Sequence, residues 1–116
     1  MPKFGHIIDA MLRELSDLAT RKPFSLTFAA AGDQAAWDPA AGKAVRVKLI
    51  SFETSADVQV GWRFGTTETV QVARTTKGPY VANLVGCNVQ GAVDENLNVR
   101  AEGAVVVKGF ILGKEV

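Results

Sequence analysis

This chain of 116 residues carries one cysteine, one histidine and one tyrosine, and each scarcity excludes something. A lone Cys87 rules out an intramolecular disulfide. A lone His6, with no cysteine near it at ligand spacing, cannot build a zinc centre, which needs about three or four N, S or O ligands. Nor is there a Gly-x-Ser-x-Gly turn to expose a catalytic serine, so no Ser-His-Asp arrangement is expected. Net charge is scarce too. Thirteen basic residues face 12 acidic ones, a balance of +1, which argues against a broad basic face for nucleic acid. No stretch approaches the roughly 20 apolar residues that cross a bilayer. Asp9, Arg13 and Glu14 interrupt any apolar core of a signal peptide, so the expectation is a soluble chain made in the cytosol, with no membrane partner.

What is present is alternation. In Asp57 to Phe64, the residues Val58, Val60, Trp62 and Phe64 fall on one side and Asp57, Gln59, Gly61 and Arg63 on the other, the pattern of a half-buried antiparallel strand. Phe24, Leu26 and Phe28 alternate with Ser25 and Thr27 in an earlier strand, which Gly32-Asp33 is expected to break. Trp37 to Lys43 reads as a turn punctuated by Pro39 and Gly42. In Ala44 to Phe52, Val45, Val47 and Leu49 oppose Arg46 and Lys48, yet Ile50 and Phe52 fall on the Arg46 side. That phase change predicts a bulge or a locally buried second face. Weaker strands follow at Glu68 to Ala73, Tyr80 to Val85 and Leu97 to Ala101, and the last covers Ala104 to Leu112. A polar, glycine-containing loop spans Gly86 to Asn96, and Cys87 within it is read as a small buried apolar residue. About seven or eight short strands at roughly ten-residue spacing predict a mainly β fold, an antiparallel two-sheet sandwich.

Only the N-terminal segment has a helical period. Ile8, Met11, Leu12, Leu15, Leu18 and Ala19 recur at three- and four-residue steps, Arg21 and Lys22 suit a helix C-terminus, and Pro23 would stop it. The expected organisation is a helical arm over residues 1–22 and a sandwich over residues 23–116. So short a helix is marginal alone, and its stripe needs a partner, either its own sandwich or a neighbouring subunit.

Chemistry-bearing side chains are scattered. Glu53, Asp57, Glu68, Asp94, Glu95, Glu102 and Glu115 sit mostly in turns or on outward strand faces, where solvation explains them. Asp94-Glu95-Asn96 lacks the spaced ladder of a dedicated calcium loop, and the glycines near Gly86 and Gly91 open no helix that could hold a phosphate. No cofactor, metal or catalytic residue is expected. Trp62 and Phe64 share a face with Val58 and Val60 and are assigned to the core, whereas Trp37 and Tyr80, near turns, are candidate exposed contact residues.

The run Pro39 to Val47, then Ser55 to Val60, together with Glu95 to Arg100 and Val105 to Phe110, resembles small jelly-roll-like β-sandwich virion proteins encoded in tailed-phage structural clusters. The resemblance covers roughly residues 37–116 and lies in strand punctuation: a Gly-Lys-x-hydrophobic-Arg-hydrophobic opening strand, then a Leu-x-Val strand and a Val-rich closing strand. It implies a non-enzymatic protein of the virion that decorates a capsid or forms a fibre module, commonly as a trimer, with the major capsid protein as partner. On that reading Ile8, Met11, Leu12, Leu15 and Leu18 form an attachment arm, with Trp37 and Tyr80 as further contacts. Two alternatives stand beside it. One is a tail or head fibre module whose Trp37, Tyr80 and loop 86–96 contact a host glycan; the other is a lectin- or cupin-like small-ligand binder, of which the cupin form is ill served by one histidine.

Overall fold

The computed structural model describes residues 20–116. The expected helix, with Ile8, Met11, Leu12, Leu15 and Leu18, and also His6, lie outside the described residues. From residue 20 onward the chain is all β, in nine strands: β1 (Thr20–Phe28), β2 (Gly32–Trp37), β3 (Val45–Thr54), β4 (Val60–Phe64), β5 (Gln71–Arg74), β6 (Gly78–Asn83), β7 (Val89–Gln90), β8 (Leu97–Ala101) and β9 (Val105–Glu115).

The strands form two antiparallel sheets. Sheet one has the order β1-β9-β3-β6, with the short β7 also paired to β3, and sheet two has the order β2-β8-β4-β5. Pairing is nested from the outside in: β1 with β9, β2 with β8, β3 with β6 and β4 with β5. This is one long ribbon rolled over so that β9 also meets β3 and β8 also meets β4. The inward residues of both sheets merge in a single core, in which Val45, Val47, Ile50, Phe52, Val107 and Ile111 meet Trp37, Val60, Trp62, Phe64, Leu97 and Val99. Trp62, at 8% exposure, is between the sheets as its alternation predicted.

Three local features differ from, or sharpen, the sequence reading. Arg21, Lys22 and Pro23 do not end a helix; they belong to β1, where Pro23 pairs with Phe110. β1 is an edge strand, the place where a strand tolerates a residue without an N–H. β2 was not expected, because Gly32, Asp33 and Ala35 have little β propensity and a register shift between Ala35 and Trp37 breaks the alternation. The phase change in β3 is a bulge: its pairing with β9 shifts between Val47 and Leu49. Before it Val45 and Val47 point inward; after it Ile50, Phe52 and Thr54 do.

Gly109 and Gly113 of β9 let the ribbon close. A side chain at either would run into the β3 backbone, at the carbonyl oxygens of Ser51 and Arg46 respectively.

Candidate functional site

The two outer faces of the sandwich differ in how their side chains are partnered. On sheet two, Asp33 of β2 stands opposite Arg100 of β8, and Arg63 of β4 reaches across β8 to the same carboxylate. Arg63 is bidentate on Asp33, Nε to Oδ1 at 3.0 Å and Nη2 to Oδ2 at 2.7 Å, while Arg100 Nη1 donates to Oδ2 at 3.2 Å. The remaining donors turn to Glu102 and to the Glu68 carbonyl. The Arg63 and Asp33 side chains are only 14% and 13% exposed. Hydrogen bonding from Arg63 is the largest influence on Asp33 and holds its carboxyl below the ordinary carboxylate range, against the opposing effect of burial. A carboxylate so fully occupied by its own sheet is a staple across three strands.

On sheet one, the outward positions line up in rows fixed by the register. Arg21, Leu112, Leu49 and Asn83 form one row; Pro23, Phe110, Ser51 and Val81 form the next. Leu49, Phe110 and Leu112 are half-buried, Pro23 is exposed, and Val81 is 63% exposed. The Arg21 guanidinium lies 4.6 Å from the Phe110 ring centroid, so the patch has a cationic corner. The sequence signal for this face was the consecutive pair Leu49-Ile50 and the run Phe110-Ile111-Leu112. A strand with apolar neighbours in succession has an apolar residue on each side.

The predicted contact residues fall elsewhere. Trp37 is not exposed; it is 2% exposed and belongs to the core. Its indole N–H donates to Glu115 Oε2 at 3.1 Å, and the Lys22 ammonium lies 5.7 Å from its ring centroid. A long-range carboxylate therefore satisfies the polar edge that a turn position would have left to water. Tyr80 is half-buried, with its ring 5.0 Å from that of Phe52 and its hydroxyl accepting from Trp62 Nε1 at 3.3 Å. Tyr80 thus sits with Trp62, not with Trp37. Cys87 is exposed, contrary to its expected burial, because Gly86 and Asn88 both take left-handed conformations that carry the turn away from the core.

The loop 86–96 is tied down rather than open. Asp94 Oδ1 accepts from the Gly42 N–H at 2.7 Å and Glu95 Oε1 accepts from the Ala92 N–H at 3.1 Å. Among the described residues, no three His, Cys, Asp or Glu side chains gather where they could hold a metal ion. Where this loop passes the β4–β5 hairpin, a cleft of about 420 Å³ opens, with Trp62 and Phe64 at its base and Gln71, Asn88 and Gln90 among its lining.

No family model, curated protein or solved structure matches this chain.

Proposed function

We propose that this chain is a non-enzymatic structural protein of a phage-like virion, a decoration protein that binds the outside of the head as a homo-oligomer. The observation that carries the reading is the rolled ribbon with nested pairs, β1/β9 through β4/β5. That winding supports a jelly-roll plan, which recurs in viral capsid, lectin and cupin domains. The strand punctuation over residues 37–116 points the same way. A virion shell offers many copies of one site related by symmetry, which rewards a symmetric oligomer, a trimer at capsomer junctions for instance. Weak contacts to the major capsid protein then add through effective concentration. Electron microscopy of particles with and without this protein tests it. Extra density on the outer head surface is expected; purified particles that lack the protein altogether would sink the proposal.

A second reading, a fibre module that contacts a host glycan, is favoured by the cleft alone. Its aromatic base, with Gln71, Asn88 and Gln90 beside Arg63 and Glu68, suits a polar ligand better than the buried Trp37 does. A glycan array with no bound sugar would remove it.

A further inference from the structure

We infer that β6 is a docking edge for β6 of a second copy of this chain. The two strands meet antiparallel across a two-fold axis at Val81 and join sheet one of each copy into one continuous sheet. The contact is separate from the virion reading, because a shell-bound oligomer need not use this edge.

In an antiparallel pair, alternate residues turn their N–H and C=O toward the neighbouring strand, and those between turn them away. The Gly78 N–H donates to Thr54 Oγ1 at 3.2 Å, and the Leu84 N–H donates to the Lys48 carbonyl at 2.8 Å. Gly78, Tyr80, Ala82 and Leu84 are therefore the residues turned toward β3, and Pro79, Val81 and Asn83 face outward from the edge. The Pro79 carbonyl accepts from Arg74 Nη1 at 2.7 Å, on the side away from β3. The backbone groups of Val81 and Asn83 have no partner among the described residues.

Sheet edges that stay solitary are guarded by charge, proline, bulges or shortness. β1 carries Arg21, Lys22 and Pro23, β2 carries Asp33 and a register shift, and β5 has only four residues and ends in Arg74. β6 reads Gly-Pro-Tyr-Val-Ala-Asn, without a charge, and Val81 within it is 63% exposed.

The strand is also its own complement. A two-fold axis through Val81 sets Val81 against its own copy and Asn83 against the partner subunit's Pro79. Val81 then exchanges both of its bonds with its copy, and each Asn83 N–H meets a Pro79 carbonyl. Proline guards an edge by lacking an N–H, yet here its carbonyl is what Asn83 needs. The Asn83 carbonyl, opposite a residue with no N–H, stays with water. Side chains meet as well, Val81 with Val81 on the outer face and Tyr80 with Ala82 on the other. With no charge in either strand, the like-charge contact that a two-fold axis at Arg21 or Arg74 would force does not arise. One short strand buries less than the roughly 1,200 Å² of a standard stable interface, so the dimer is weak and forms at high local concentration.

Amide exchange of the full chain, read by NMR at micromolar and at millimolar protein, tests the inference. The Tyr80 and Ala82 N–H groups should be protected in both samples. Those of Val81 and Asn83 should exchange several-fold more slowly in the concentrated sample than in the dilute one. Val81→Lys, a change at an exposed side chain, should keep the β circular dichroism and abolish that concentration dependence. In a Cys87→Ser background, Val81→Cys should form disulfide-linked dimers under mild oxidation several-fold faster than Ala35→Cys on the other sheet. Directly opposed residues of a hydrogen-bonded pair lie about 5.5 Å apart at Cα, within disulfide reach. Exchange at Val81 and Asn83 that ignores concentration overturns the inference, as does self-association that survives Val81→Lys. Linkage through Val81→Cys no faster than through Ala35→Cys overturns it equally.

Discussion

Trp37 at the end of β2 donates its indole N–H to the carboxylate of Glu115 near the end of β9, across 3.1 Å. The second oxygen of Glu115 accepts from the backbone N–H of Ala40 at 2.8 Å. One side chain thereby pins the β2–β3 connection and caps a buried indole. It also links the two sheets, since β2 belongs to one and β9 to the other. The bond from Ala40, and then that from Trp37, hold the Glu115 carboxyl below its usual range.

Trp37→Ala should therefore destabilise the protein by about 3–5 kcal/mol, the range for deleting a large buried ring. Equilibrium unfolding in denaturant measures it. A loss below about 1 kcal/mol would return Trp37 to the surface, since exposed substitutions lie near zero.

Trp62 and Phe64 could be placed from the sequence because Val58, Val60, Trp62 and Phe64 alternate with Asp57, Gln59, Gly61 and Arg63. The bulge in β3 was legible for the same reason: a two-residue period that changes phase needs an extra residue somewhere. Trp37 was misplaced because its burial depends on Glu115, a partner 78 positions away, while its neighbours Asp38 and Pro39 speak only for a turn. β2 was hidden because Asp33 takes its place through Arg63 and Arg100, on two other strands. The apolar outer face was half legible. The runs of successive apolar residues announce two apolar sides, but only the register brings Leu49, Leu112, Phe110 and Val81 together.

Acid should act through Asp33. Its pKa is lower in the folded chain than in the unfolded one, chiefly through the Arg63 hydrogen bonds. Its contribution is therefore complete above the ordinary carboxylate range and is lost as pH falls through the lowered folded value. Asp33→Asn should be less stable than the parent at neutral pH, and the gap should narrow below about pH 4. Parallel stability curves from pH 7 down to about pH 2.5 would show that the staple carries no charge-dependent stability.

The hydroxyl of Thr54, only 3% exposed, accepts from the Gly78 N–H at 3.2 Å and lies 3.2 Å from the Thr76 carbonyl. Thr54→Val keeps the shape and takes the hydroxyl acceptor from the Gly78 N–H, while the Thr76 carbonyl keeps its bond from Arg74 Nε at 2.9 Å, so a loss of about 1–3 kcal/mol is expected. Unfolding within about 0.5 kcal/mol of the parent would mean that water replaces the hydroxyl there.

Gly109→Ala should cost about 1–3 kcal/mol or prevent folding, because the new methyl meets the Ser51 carbonyl and the Phe52 backbone. Thermal unfolding reads the outcome, and a midpoint equal to that of the parent would mean that β3 and β9 can separate locally without loss.

Cys87→Ser should leave the unfolding free energy within about 0.5 kcal/mol of the parent, as for an exposed substitution. The thiol of the folded parent should react with a water-soluble maleimide about as fast as a free peptide thiol. Protection from the reagent would point to a partner over the Gly86 turn.

β9 lies between β1 and β3, so the interior of sheet one is supplied by the strand that the ribosome delivers after all the others described. During synthesis β1 and β3 have no neighbour to hydrogen-bond to across that gap, and their apolar sides stay wet until residues 105–115 emerge. Folding is consequently a late, non-local event, slower than for a chain of local hairpins. Until then, the waiting strands are open to edge-to-edge pairing with other nascent copies, the hazard that chaperones exist to contain.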